Sequence, residues 1–408
     1  MSAKAPDAAA LELDDLEHAA LAELENAVLE ATLLRQFIHA NPHIGGDEYA
    51  TAELIRETLG LPTTDVAEGF MVRVGADGPA VGIRAELDAL PIQEESDVPW
   101  RSLHDGVAHL CGHDVHMAAL VATIRVLQAV GQPLPLMGVF QPREETVPSG
   151  AEDFVADGAV SEEQIMAMIG VHLQPVIPAG AVSAVPGPVN ASADDFTIVV
   201  RGIPSHGAYP HLSRDPIVAA TGVVQALQHL VSRRSNPMNP SVVTVGMISG
   251  GESPNQIPGE VTLSGTVRSF YETERIALHD GIRRVATHIA AAYECVAEVE
   301  ITFGDPILTN DEVLAGSVAS GLAGNGYSTA APFRSCGADD FAFYGTLFPS
   351  LMIFVGVGDG DPSSPGLHHP AFAPPDDTVR SVARVMLIAY FAACRNYFEN
   401  DDDREVSR

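Results

Sequence analysis

Eight consecutive residues, His109-Leu110-Cys111-Gly112-His113-Asp114-Val115-His116, put a thiol and three imidazoles around a single glycine, just before the apolar helical pattern of residues 117–130. The glycine permits a tight turn, and Asp114 is placed to cap the helix that follows. A thiol at a helix N-terminus is expected to lose its proton readily, which favours metal ligation or nucleophilic attack. Taken alone, the segment is compatible with a capped helix carrying surface histidines, with a Cys/His nucleophile, or with part of a metal centre.

Groups of the same kind recur further along. Glu144 and Glu145 follow the apolar run 136–140. Adjacent carboxylates repel unless a cation or a shared proton relieves them. One can then ligate while the other acts as base, the plainer reading being a solvated turn. His172 closes the apolar run 166–171, where an imidazole is often a hydrogen-bonded core residue, and His368-His369 lie in a loop after the run 351–357. Cys111, His113, Glu145, His172 and His368 together offer five N, O and S ligands, enough for two transition metals if Cys111 or a water bridges them. Two metals about 3.5–4 Å apart suit hydrolysis, because they bring the pKa of a bound water toward about 7 and polarise the carbonyl under attack. Glu144 would take that water's proton and pass it to the leaving nitrogen. The sequence has no G-x-S-x-G elbow, no G-x-x-x-x-G-K-[ST] loop and no dinucleotide fingerprint, which lowers the rank of serine hydrolase, P-loop and dehydrogenase chemistry.

The elements that must position these groups are legible in outline. Residues 8–40 are rich in Ala, Leu and Glu at helical spacing and stop at Asn41-Pro42, and a second helical stretch covers 47–59. The continuous apolar runs 80–83, 136–140, 166–171 and 351–357, separated by helical patterns, read as buried strands of an α/β sheet. The candidate groups follow these runs, at the strand ends where open α/β sheets bind ligands. Between 190 and 304 the order becomes strand, helix, strand, strand, helix, strand, that of a ferredoxin-like unit. The expected architecture is therefore α/β. A domain with a mixed, mostly parallel sheet flanked by helices (1–189 and 305–408) carries an inserted ferredoxin-like α+β domain (190–304), with hinges at 175–187 and 305–310. The acidic tail 400–408 is expected to fray.

Composition narrows the partners. The 408 residues hold 22 Lys+Arg against 54 Asp+Glu, a formal charge of −32, which argues against a nucleic-acid or anionic-membrane surface. There is no apolar run long enough to span a bilayer, and the N-terminus lacks a signal-peptide pattern, so the cytoplasm is the expected location. Four dispersed cysteines form no C-x-x-C pair and indicate no disulfide framework.

Several segments resemble, in order and spacing, the di-metal aminoacylase and carboxypeptidase family, in its branch of N-acyl-amino-acid amidohydrolases, hippurate hydrolases and auxin-conjugate hydrolases. They are Arg84-Ala85-Glu86-Leu87-Asp88-Ala89-Leu90-Pro91, His109 to Asp114, Phe140-Gln141-Pro142-Arg143-Glu144-Glu145, Ser205-His206-Gly207, Asn255-Gln256-Ile257-Pro258, Gly265-Thr266-Val267-Arg268, Gly337-Ala338-Asp339-Asp340-Phe341 and Leu367-His368-His369-Pro370. The resemblance implies a two-metal centre and a lid that also mediates dimerisation, giving a homodimer or a higher oligomer. It implies Cys111, His113, Glu145, His172 and His368 as ligands of two divalent ions (zinc, manganese, cobalt or nickel) and Glu144 as general acid/base. His206 is implied to stabilise the oxyanion, in cis or from a partner subunit, and Asn255 and Arg268 to meet the substrate carboxylate. Asp88 is implied to orient a neighbouring group. The implied reaction is hydrolysis of an N-acyl amino acid to a carboxylic acid and a free amino acid, the alternatives being a dipeptidase or carboxypeptidase on the same scaffold, or a non-catalytic binding protein. Three positions depart from that branch: Glu86 stands for aspartate, Asp339 for glutamate, and Arg143 for a small residue beside the expected base.

Overall fold

A computed structural model describes residues 8–361 and 363–406. The chain divides into two compact units, one of residues 1–187, 309–333 and 343–408, the other of residues 188–308 and 334–342. Residues 334–342, which the sequence pattern groups with the catalytic domain, cluster with the second unit, where Ala191 N donates to Ser335 O and Asn190 Nδ2 to Gly337 O.

The first unit is built on an eight-stranded mixed sheet. Its centre is four parallel strands in the order Leu136–Gln141, Ala80–Glu86, Ile165–Pro178, Ser350–Gly358. The continuous apolar runs are explained by burial, since the strands Ala80–Glu86 and Leu136–Gln141 are buried at every position. Each edge adds two further strands that the sequence reading did not pick out. Thr63–Val66 and Gly69–Val74 form a hairpin on one side, and Ala181–Ser183 and Ser328–Thr329 lie on the other.

Several expectations are corrected here. The strand expected over 166–171 runs from Ile165 to Pro178, so His172 lies inside it, opposite Phe354, and much of the supposed hinge 175–187 is strand. Pairing with Ser350–Gly358 carries it on past His172 to Gln174 and, after a register shift, to Pro178. The helix expected to start at residue 117 starts at His113, and Asp114, expected as its cap, lies in the first turn. The capping position is Gly112, in the left-handed conformation at φ 95°. Glycine is required there twice over, because a Cβ would also meet Leu173 Cδ1 at 2.7 Å. At the C-terminus, helix Asp377–Val406 continues into the acidic tail expected to fray, and residues 407 and 408 lie outside the described residues.

Helices Ala8–Ala40, His113–Val130 and Asp377–Val406 contribute to the same hydrophobic core as the sheet. The first of them ends in a buried polar network. Arg35 donates to Asp114 Oδ2 (2.7 Å), Asp376 Oδ1 (2.8 Å) and Pro374 O (3.1 Å) and lies 3.8 Å from the Trp100 ring centroid. His39 sits between Asp114 Oδ2 (3.0 Å) and Glu94 Oε1 (3.1 Å). Burial opposes charge on His39, but the two carboxylates outweigh it and raise its pKa to about 9. A histidine whose pKa is raised on folding contributes stability below its unfolded pKa and loses it as pH rises through the folded value. The gap in unfolding free energy between the parent and His39→Gln is therefore expected to shrink by about 3 kcal/mol from about pH 6 to about pH 10. Urea denaturation across that range measures it, and a constant gap would contradict a charged His39.

The second unit carries an antiparallel sheet ordered Ser241–Ser249, Glu260–Ser269, Ser192–Arg201, Val296–Phe303, with helices Pro216–His229 and Glu272–Ala292 contributing to its core. Strand order and connection are those of a ferredoxin-like unit.

Candidate metal centre

The expected groups meet at the carboxyl ends of the parallel strands. Asp88 lies two residues beyond Ala80–Glu86, Glu144 and Glu145 lie just beyond Leu136–Gln141, His172 is on Ile165–Pro178, and His368 is in the loop after Ser350–Gly358. The ligand atoms of Cys111, His113 and His172 lie within 4.8 Å of one another, and so do those of Cys111, Glu145 and His368. Cys111 belongs to both sets. A third set joins His113, Glu144 and Glu145.

The rings of His113 and His172 are each aimed by the far nitrogen. His113 Nδ1 donates to the Asp88 carbonyl at 2.8 Å, leaving Nε2 buried without a hydrogen-bond partner, 3.8 Å from Glu144 Oε2. His172 Nδ1 donates to Leu173 O at 2.7 Å, which turns Nε2 toward Cys111 Sγ at 3.4 Å. Asp88 Oδ2 accepts from Glu145 N at 2.9 Å, and Glu145 Oε1 lies 3.1 Å from His368 Nε2. Asp88 thus touches the backbone of one candidate ligand and the ring of another. Cys111, His113, His172 and Asp88 are buried, Glu144 and Glu145 are part-buried, and the His368 side chain is 48% exposed.

Two non-glycine residues here adopt left-handed backbone, Arg143 at φ 53° and His368 at φ 62°. Such conformations cost about 1–3 kcal/mol and persist where surrounding bonds enforce them. Glu48 Oε1 accepts from Arg143 N at 2.8 Å, and Leu110 O accepts from His368 N at 2.8 Å.

The electrostatics call for a cation. Burial opposes charge on His113, yet Glu86, Asp88 and Glu145 outweigh it and hold its pKa up at about 10. Without another cation, His113 itself carries the offsetting charge, on a ring whose Nε2 has no acceptor. Cys111 corrects the expected low-pKa thiol. Burial, then the charges of Glu145, Glu144 and Glu86, push it well above the ordinary thiol range, so its helix-terminal position does not prevail. A nucleophilic cysteine is thereby disfavoured, whereas a divalent ion would supply the positive charge that a thiolate here needs. The orphaned His113 Nε2, the shared sulfur and the surrounding carboxylates fit a divalent centre.

Arg143 is not committed to Glu144, as its guanidinium donates to Glu68, Asp153 and Pro148 O. Asp339 accepts from Phe341 N at 2.9 Å, beside the 3-10 turn Asp340–Thr346.

In the second unit, His206 and Asn255 come together on neighbouring segments. Strand Ser205–His206 pairs with Gln256–Ile257, and Gly207 N donates to Asn255 O at 2.7 Å. His206 is exposed and its Nδ1 accepts from Ala208 N at 3.1 Å, which leaves Nε2–H as an outward donor. Arg268 is half-buried on Glu260–Ser269, and its guanidinium has no hydrogen bond or ion pair among the described residues.

Comparison with known proteins decides the family. Peptidase family M20/M25/M40 matches residues 82–390. The chain belongs to that family. It is 34% identical to the N-acetyl-L-cysteine deacetylase of Bacillus subtilis (strain 168), over 91% of this chain and 89% of that one. It is 31% identical to the N-acetyldiaminopimelate deacetylase of Exiguobacterium sibiricum, over 86% and 96% respectively. The crystal structure of the Bacillus subtilis YXEP protein, a dinuclear metal-binding peptidase from the M20 family, matches with a TM-score of 0.79 and 29% identity, covering 90% of this chain and 98% of that one. This M20 protein is an amidohydrolase. No helix among the described residues is long and apolar enough to cross a membrane.

What the sequence reading of this M20 chain missed is the support beneath the candidate ligands. His116 and Glu86 pair in the buried layer, and Glu48 holds the strained turn at Arg143. The three-residue spacing from His113 to His116, which puts both on one helix face, was the available signal for the first. Glu48 had none, because its partner is a backbone N–H distant in the chain.

Proposed function

We propose that the protein hydrolyses the amide bond of N-acyl amino acids, releasing a carboxylic acid and a free amino acid. The observation that carries this reading is the pair of ligand sets sharing the buried Cys111, with Glu144 beside them. Cys111, His113 and His172 would hold one divalent ion, and Cys111, Glu145 and His368 a second. Bound there, the ions would activate water and polarise the scissile carbonyl. Glu144 accepts a proton from the attacking water and returns it to the leaving nitrogen. The Nε2–H of His206 is a donor suited to the developing oxyanion, and the uncommitted Arg268 guanidinium is suited to the substrate carboxylate, with Asn255 as a further polar contact. Asp88 orients His113 and the Glu145 backbone. The residue order of the two units supports a catalytic domain with an inserted lid.

Primary-amine release from a panel of N-acyl amino acids and dipeptides, with the protein loaded in turn with zinc, manganese, cobalt and nickel, tests the reaction. Release confined to N-acyl amino acids is the expected result. Release from dipeptides alone would replace it with a peptidase reading, and silence across the panel at full metal loading would refute hydrolysis of this class.

The same reading includes a cytoplasmic homodimer formed through the second unit. Its support is the sheet-edge strand Ser241–Ser249, where Met247 and Ile248 are exposed at 68% and 57%, a pattern that a monomer rarely leaves uncovered. Sedimentation equilibrium should find a dimer that Met247→Glu with Ile248→Lys dissociates. A parent that is monomeric at micromolar concentration would remove this part of the proposal.

A further inference from the structure

His116 has the spacing of a metal ligand but not the freedom of one. Its Nδ1 lies 2.9 Å from Glu86 Oε2, and its Nε2 lies 3.2 Å from the backbone N of Leu173. A backbone N–H can only donate, so Nε2 is the acceptor and the ring proton sits on Nδ1, donated to Glu86. Glu86 is itself fixed by Arg84, which also donates from Nε to Gln141 Oε1 at 2.9 Å. All of these groups are buried.

Leu173 is the residue that this chain of bonds serves. Its carbonyl accepts from His172 Nδ1, and its side chain lies against Gly112, the turn between Cys111 and His113. The peptide next to His172 is therefore tied, through His116, to the helix His113–Val130 that begins with His113. That helix and the strand Ile165–Pro178 carry two of the three ligands of one set, and nothing else in the bonds described ties Leu173 N to the helix.

We propose that His116 is a positioning residue that sets the separation and aim of His113 and His172 through the Leu173 peptide, and so tunes the metal affinity of the Cys111, His113, His172 set without ligating it. The inference rests on the metal-centre reading above. It also gives Glu86 a specific task, to hold the Nδ1-protonated tautomer of His116 that leaves Nε2 free to accept.

Two amide substitutions separate this role from general packing. Gln at position 116 can place an amide oxygen near the Nε2 position and keep an acceptor for Leu173 N–H, whereas Asn places its amide near Nδ1, keeps the Glu86 bond and loses the acceptor. Cobalt(II) is titrated into metal-free parent, His116→Gln and His116→Asn, followed by visible absorption and by bound cobalt per chain. The expected result is that His116→Asn weakens one of two sites by about 10–100-fold, while His116→Gln stays within a few-fold of the parent. Equal affinities for the two variants, whether both like the parent or both weak, overturn the proposal. A parent that binds no cobalt overturns the metal-centre reading and the proposal with it. Should either variant fail to fold, nitrogen-15 NMR of the histidine rings in the unmodified chain decides the matter: a His116 proton on Nδ1 is expected, and one on Nε2 overturns the assignment.

Discussion

Glu144→Gln is expected to lower turnover by about 10²–10⁴-fold while metal content stays at the parent's level. The substitution preserves the shape of the side chain but removes the basic oxygen pair, so the proton of the attacking water has nowhere to go. Metal content should survive because Glu144 belongs to neither of the two sets that share Cys111, although it lies 3.8 Å from His113 Nε2. KM should move little, since the loss falls on a step after binding. Steady-state kinetics beside elemental analysis of the same preparation makes the test. Retained turnover would remove Glu144 from the mechanism, and lost metal would make it a ligand.

Cys111→Ala should have the opposite signature, with both metals weakened together. Sγ is common to both ligand sets, so its removal strips each of them at once. Loss of outer partners alone costs about 10–100-fold in metal affinity, and loss of a shared ligand is expected to exceed about 100-fold at both sites. The pH dependence adds a second readout. Cys111 is held as a thiol well above the ordinary range and His113 stays charged up to about 10, so an arriving ion must displace a proton from each. Below those values the parent's metal affinity should rise with pH with a slope that includes both protons, and Cys111→Ala should lose one of them. Titrations at several pH values measure this. An unchanged slope would mean that the thiol does not take part, and loss of one metal with the other intact would mean that Cys111 is not shared.

The fold and the site were legible to different depths. Helix Ala8–Ala40 could be read because one buried face writes itself as apolar periodicity, and the four central parallel strands because burial on both faces writes itself as continuous apolar runs. The edge hairpin Thr63–Val66 and Gly69–Val74 could not, because its first strand is short and mostly exposed and its pairing is a matter of neighbours distant in the chain. Residue type, spacing and position after a strand were enough to nominate Cys111, His113, Glu144, Glu145, His172 and His368, since the chemistry that such groups can do is a property of the groups. How they are aimed was decided only in three dimensions. Asp88 reaches His113 through its backbone carbonyl and Glu145 through its carboxylate, and Leu173 is gripped from His116, contacts that no local pattern encodes. The Cys111 thiol shows the division most plainly. Its place before a helix, a local fact, points to a low pKa, but the burial and the three carboxylates that tertiary folding brings around it raise the pKa instead. The sequence by itself determined which atoms are available to hold a cation. Only the tertiary structure, by bringing those atoms together with several carboxylates around a buried thiol, created a place where a cation would relieve the charge.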